Sequence, residues 1–114
     1  MSDCIFCKII EGSIPSNKVY ENEYCIVFDD MNAQAPIHLL VVPRRHVESL
    51  RYFEDTDTEL MGTLLQACRN VAAEKGISET GYRVVANAGA MAGQTVFHFH
   101  LHVLGGRPLQ WPPG

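Results

Sequence analysis

The stretch Thr95-Val96-Phe97-His98-Phe99-His100-Leu101-His102-Val103-Leu104 decides what kind of fold this chain makes. It is rich in β-branched and aromatic residues, and it alternates: His98, His100 and His102 take every second position, with Phe97, Phe99, Leu101 and Val103 between them. A period of two is that of a strand whose faces differ. One face is expected to pack, and the other to carry three imidazoles in a row, each about 6.5–7 Å from the next. A lone strand histidine is ordinarily a semi-buried polar residue satisfied by one or two hydrogen bonds. Three in register are costly in a core, because each ring has two nitrogens to satisfy.

Two chemistries suit such a face. Histidines at i and i+2 can share one metal ion with a third ligand from elsewhere. Alternatively, neutral imidazole, with a reference pKa of about 6.5, can act as a nucleophile while its neighbours serve as donors or acids. Just upstream, Ala92-Gly93-Gln94-Thr95 offers a small residue, an amide, a hydroxyl and backbone N–H groups. These donors suit the non-bridging oxygens of a phosphate, although Gly and Gln would also serve a plain hairpin connection. No Asp or Glu follows Glu79, whereas a catalytic metal site would more often bring carboxylates. The balance favours nucleophilic phosphorus chemistry.

Outward from the histidines, the loop Asn87–Gln94 separates this strand from a second one at Tyr82–Ala86. Before it, Leu60, Leu64, Ala67, Cys68 and Val71 recur at helical spacing, predicting one long helix that starts after Asp55. Thr56 with Glu59 matches a capping box, Lys75 suits the last turn, and Gly76 is expected at the C′ position. Ile37–Val42, apolar and set between Pro36 and Pro43, predicts a buried strand; Val19-Tyr20 and Tyr24–Asp29 flank Glu21-Asn22-Glu23 as a hairpin. Cys4–Ile10 is a compact segment, apolar on one side. The expected architecture is α+β: a five-stranded, mostly antiparallel sheet with one long helix and a short N-terminal helix, in a single domain over residues 1–114.

Hydrophobic residues make up 46% and charged residues 19%, which excludes a disordered or low-complexity chain. The net charge is −4 and the basic residues cluster no further than Arg44-Arg45, so no nucleic-acid polymer is expected as a partner. No apolar run is long enough to span a bilayer, and Met1-Ser2-Asp3-Cys4 does not open like a secretion signal; a cytoplasmic location with no membrane contact is expected. In a reducing compartment the four cysteines are not a disulfide framework. Cys25 and Cys68 read as core residues. Cys4-Ile5-Phe6-Cys7 is by spacing half a zinc site at best, and otherwise a pair of small hydrophobes in a buried turn.

His98-Phe99-His100-Leu101-His102-Val103-Leu104 resembles the His-x-His-x-His-x-x signature of the histidine triad superfamily. The resemblance extends through Ile5-Phe6-Cys7-Lys8-Ile9-Ile10, Ala35-Pro36-Ile37-His38, Val42-Pro43-Arg44-Arg45-His46 and Gly93-Gln94-Thr95-Val96. The ending, Gly105-Gly106-Arg107 with Trp111-Pro112-Pro113-Gly114, is similar to that of its nucleotide-binding HINT branch. This resemblance implies a homodimer whose two sheets join, with a purine nucleotide of the AMP or GMP type bound to each subunit. It implies hydrolysis of nucleoside 5′-phosphoramidates: His100 attacks the α-phosphorus, His102 contacts the phosphate, His38 lies near the nucleophile and helps hold its tautomer, and His98 completes the network. It also implies Asp30 at the ribose hydroxyls, Met31 beside the base, and Asn87, Gly93, Gln94, Thr95 and Val96 along ribose and phosphate. Trp111 would reach the partner subunit's site. No cofactor is required for that chemistry, and a structural zinc would take Cys4, Cys7, His46 and His98. Ala92 stands where relatives often carry a second glycine, and Thr95 where serine is commoner.

Overall fold

The computed structural model describes residues 3–114; Met1 and Ser2, part of the start read above as lacking a leader, lie outside them. In chain order the elements are helix α1 (Ile5–Glu11), strands β1 (Lys18–Glu21), β2 (Cys25–Asp29) and β3 (Ile37–Pro43), helix α2 (Thr58–Glu74), and strands β4 (Tyr82–Val85) and β5 (Leu101–Gly105). The five strands form one antiparallel sheet, as expected, and their order in it is β1-β2-β3-β5-β4.

Alternation along the strands divides the core between the two sides of the sheet. Cys25 and Val27 of β2, Leu39 and Val41 of β3, and Leu101 and Val103 of β5 meet Leu64, Ala67, Cys68, Val71 and Ala72 of α2. The intervening Ile26, Phe28, Leu40 and Val42 meet Phe6 and Ile9 of α1 on the opposite face. Burying these apolar side chains is the main stabilising contribution, at about 1.5–3 kcal/mol for each of the larger ones. The α2 side is closed and apolar. The α1 side is covered only in part, because α1 has seven residues, and there the sheet keeps a cleft.

The ends of α2 correct one expectation. The reciprocal capping box is made by Glu54 and Asp57, two residues before the expected Thr56–Glu59 pair, and a 3-10 turn over Asp55–Asp57 leads into the helix. Arg45 reaches Asp57 at 2.8 Å and occupies that carboxylate as well. The C-terminus follows its sequence: Gly76 is left-handed at φ 76°, and Ile77 N–H closes on Ala72 C=O at 3.0 Å, while Lys75 sits just past the last turn.

The histidine stretch is only half a strand. Ladder pairing on β3 begins at Val41–Leu101, and Thr95–His100 run as irregular chain held by Phe99 N–H on Val47 C=O. The cause lies in the neighbouring strand. β3 ends at Pro43, which has no N–H to offer, and the Pro43 carbonyl accepts from the His98 ring at 2.8 Å. Phe97, expected to pack with Phe99, Leu101 and Val103, is consequently exposed.

Candidate active site

The open side of the sheet holds a cleft of about 640 Å³. Phe6 and Ile9 of α1, with Phe28 and Leu40 of the sheet and Val96, make an apolar wall, and Asp30, His38, Thr95, His100 and His102 bring polar atoms to it. The combination is that of a small-molecule site: apolar walls with a few convergent polar groups. A second groove of about 610 Å³ beside Arg45, Glu48, Glu54 and Asp57 contains the Arg45–Asp57 ion pair but neither His100 nor His102.

Hydrogen bonds determine which nitrogen of each ring carries its proton. His100 Nδ1 lies 2.8 Å from the backbone carbonyl of His98, which can only accept, so Nδ1 carries the proton and Nε2 keeps its lone pair. Phe6 packs edge-on against this ring, with centroids 5.0 Å apart. Burial holds the His100 pKa below its ordinary value, which keeps the ring neutral. A buried, neutral imidazole with one lone pair at a cleft is a poised nucleophile.

A second chain of bonds orients His102. The Gln34 N–H donates to His38 Nδ1 at 3.0 Å, so the proton of His38 is on Nε2; from there it reaches His102 Nδ1 at 2.9 Å. His102 therefore accepts at Nδ1 and keeps its own proton on Nε2. Burial, followed by the neighbouring His100 and His38, pulls the His102 pKa down to about 4. Burial likewise lowers that of His38, against the pull of Asp30, whose Oδ2 is 3.3 Å from His38 Nε2. The other oxygen of Asp30 accepts from Asn32 N–H at 2.8 Å. The ring centroids of His100 and His102 are 5.1 Å apart, so a lone-pair nitrogen and an N–H donor stand side by side without either being charged.

His98 does not join them in the cleft. Its ring, fully buried, turns into the cysteine turn at the start of α1. There Nδ1 lies 3.2 Å from Cys4 Sγ, 3.5 Å from Cys7 Sγ and 3.1 Å from His46 Nδ1, and Cys7 Sγ lies 3.4 Å from His46 Nδ1. Because His98 Nε2–H donates to Pro43, its Nδ1 is a free lone pair aimed at the cluster. Ligands about 2.0–2.3 Å from a zinc ion stand roughly 3.3–3.8 Å apart in a tetrahedron, close to the separations found. A backbone carbonyl on the far nitrogen of a ligating histidine is also the usual outer-shell arrangement. The four residues fit a closed Cys₂His₂ site. Burial and the adjacent Cys4 raise the Cys7 pKa to about 11, so a thiolate at neutral pH would depend on a cation among the four.

The expected site residues thus fall into three groups. His38, Asp30, Met31, Thr95, Val96, His100 and His102 border the cleft, with Met31 fully exposed at its rim. His98 was expected both among the catalytic side chains and in the zinc set; its ring lies in the cysteine cluster, and only its carbonyl reaches His100. His38 holds the tautomer of His102 rather than that of His100. Asn87, Gly93 and Gln94 do not border the cleft. The Gln94 side chain is buried and already engaged: its oxygen accepts from Gly89 N–H at 2.9 Å, and its nitrogen donates to Glu48 C=O at 2.7 Å and Val96 C=O at 3.1 Å. It is a staple that shapes the loop. Trp111 is exposed, away from this cleft, with the Arg83 guanidinium 5.9 Å from its ring centroid. The orienting groups that residue-type reasoning missed, the Gln34 N–H and the carbonyls of Pro43 and His98, are all backbone atoms and leave no mark in composition or spacing.

Comparison with known proteins agrees with this geometry. The family model described as scavenger mRNA decapping enzyme C-terminal binding matches residues 3–108. A HIT-like protein of Synechocystis is 49% identical over 112 residues, 98% of this chain and 97% of the relative. A HIT family hydrolase from Legionella pneumophila superimposes with a TM-score of 0.96 at 44% identity, covering 98% of this chain and 100% of the other. A histidine triad protein from Clostridium difficile does so with a TM-score of 0.93 at 44% identity, covering 96% of each. The lone pair of His100 in its cleft, the His102 N–H beside it and these likenesses along nearly the whole length agree: the chain belongs to the histidine triad superfamily, among whose members are hydrolases of the same fold.

Proposed function

We propose that the protein is a nucleoside phosphoramidase of the HINT branch, hydrolysing purine nucleoside 5′-phosphoramidates to the nucleoside monophosphate and an amine. The observation that carries this reading is the tautomer of His100, whose Nδ1–H is committed to the His98 carbonyl so that Nε2 is the nucleophilic atom. In the first step Nε2 attacks the α-phosphorus and the P–N bond breaks. The departing nitrogen takes a proton from the histidine network and leaves as the amine. In the second step water attacks the nucleotidyl-histidine, the P–Nε2 bond breaks, a proton of that water replaces the one the histidine network gave up, and the monophosphate departs. Two displacements replace one harder step. His102 Nε2–H donates to a non-bridging oxygen in both.

The apolar wall of Phe6, Ile9 and Phe28 supports a purine base as the cleft's occupant, and Asp30 a vicinal diol. Gly93, Gln94 and Asn87 act through the loop they shape, with Met31 beside the base. A homodimer brings Trp111 to the partner's site, where it selects the leaving amine. Zinc on Cys4, Cys7, His46 and His98 is structural; when bound it ties α1 to the chain before β5 and supplies rigidity rather than chemistry. The four thiols are all free, in keeping with the reducing cytoplasm. Among the described residues no helix is long and apolar enough to cross a membrane.

The test is hydrolysis of an adenosine 5′-phosphoramidate by the wild type and by His100→Ala. Turnover to AMP with a transient protein adduct, lost by at least about 10³-fold in the variant, supports the assignment. Binding of AMP without phosphoramidate turnover would replace the enzyme with a nucleotide-binding interaction module. Cleavage of a dinucleoside polyphosphate in preference to the phosphoramidate would instead make the protein a dinucleoside-polyphosphate hydrolase, a reading that the decapping description of the family model raises.

A further inference from the structure

β5 ends at Gly105 and the chain continues as Gly106-Arg107, and each of the three residues has a distinct place. A Cβ on Gly105 would come within 2.7 Å of Ile77 Cδ1 and 3.3 Å of its Cβ and Cγ2, so the glycine lets the strand pass close to the end of α2 without displacing Ile77. Gly106 has φ 92°, a conformation that other residues rarely adopt, and lies against Pro36. This turn takes the chain off the sheet and lays Arg107 over the loop between β2 and β3. There Arg107 Nη2 and Nε both donate to the Gln34 carbonyl, at 2.8 and 3.3 Å, and Nη1 donates to Pro108 C=O at 2.9 Å.

Gln34 is also the residue whose N–H determines the His38 tautomer. Its loop, Met31–Pro36, makes no ladder bonds, so nothing regular fixes Gln34 in place. We propose that Arg107 is a positioning residue for the active site: it clamps Gln34, so that the Gln34 N–H stays on His38 Nδ1 and the Nε2–H of His102 stays directed into the cleft. Four links carry the effect from an exposed arginine to the phosphate donor: guanidinium to Gln34 C=O, Gln34 N–H to His38, His38 to His102, and His102 to the cleft. Both ends of the guanidinium fork on one carbonyl make a charge-assisted clamp that lysine, a single point donor, would reproduce only in part. The catalytic consequence rests on the phosphoramidase reading; the tautomer consequence does not.

The experiment reads both. Ring ¹⁵N shifts of His38 and His102 are recorded by long-range proton–nitrogen correlation in substrate-free wild type, Arg107→Ala, Arg107→Lys and Arg83→Ala. The last releases the far end of the tail, where Arg83 bonds Gln110 C=O, without touching Gln34. In the wild type both rings show Nε2–H; in Arg107→Ala both move towards a tautomer mixture, Arg107→Lys lies between, and Arg83→Ala keeps wild-type shifts. Adenosine phosphoramidate turnover by Arg107→Ala falls about 10- to 100-fold in kcat, as for other remote misplacements. Wild-type ring shifts in Arg107→Ala overturn the clamp, as does an equal disturbance in Arg83→Ala. Should Arg107→Ala fail to fold, Arg107→Lys decides, wild-type shifts there counting against. A wild type that turns over no phosphoramidate refutes the proposed function and leaves the shifts to judge the clamp.

Discussion

His102 sits between two other imidazoles, and its protonation can be followed by a pH profile. Its pKa is lowered from 6.5 to about 4, so the ring is neutral at and well below neutral pH. A proton added at Nδ1 would remove the acceptor for His38 Nε2–H and spoil the donor geometry. We therefore expect kcat/KM for a phosphoramidate to stay level on the His102 titration as pH falls from 7, and to drop as pH nears 4. A decline centred near 6.5 that vanishes in His102→Ala would contradict the assignment. The sign for stability follows from the same shift. A ring whose folded pKa lies below its unfolded value contributes stability that is present above pH 6.5 and lost as pH falls towards 4. Thermal melts across that window should show a shallower acid loss in His102→Ala than in the wild type.

At the level of elements, β5 and its exit hold the site to the core. Gly105→Ala should destabilise the fold by about 1–3 kcal/mol, the cost of overpacking a filled contact, read as a lower urea midpoint with an unchanged slope. Such elements were legible where one residue type serves one purpose. The spacing of Leu64, Ala67, Cys68 and Val71 announced α2, the apolar run between Pro36 and Pro43 announced β3, and the alternation through Leu101 and Val103 announced β5 and which of its residues share a face. The sequence misled where two elements share an atom. The pattern in Thr95–His100 is that of a strand, but the Pro43 carbonyl goes to the ring of His98 instead of extending the ladder. Thr56 and Glu59 have the spacing of a capping box, but Glu54 and Asp57 have it too, and Arg45, distant in sequence, reaches the second pair. Gln94 looked like a phosphate donor because sequence cannot reveal that its amide is already engaged on both sides.

On the scale of the whole molecule, two sites share the α1 side of the sheet: a cleft for chemistry and a cysteine–histidine cluster that pins the start of the chain. Elemental analysis should find one zinc per chain, and a strong chelator should lower the melting temperature by several degrees; metal-free protein with an unchanged melt would remove zinc from the proposal. Light scattering should give twice the 12.7 kDa chain mass, and a monomer at micromolar concentration would remove the partner-subunit role of Trp111. His98 joins the two sites, its ring among the thiols and its carbonyl on the Nδ1–H of His100. A practical warning for inhibitor screening follows. A compound that alkylates Cys7, slowly at neutral pH because burial raises that thiol's pKa to about 11, should slow turnover by displacing His98, although neither Cys4 nor Cys7 lines the cleft. Such a compound would score as an active-site hit and suggest a cysteine nucleophile, which the proposed mechanism does not use; protection by prior metal loading, but not by nucleotide, would expose the artefact.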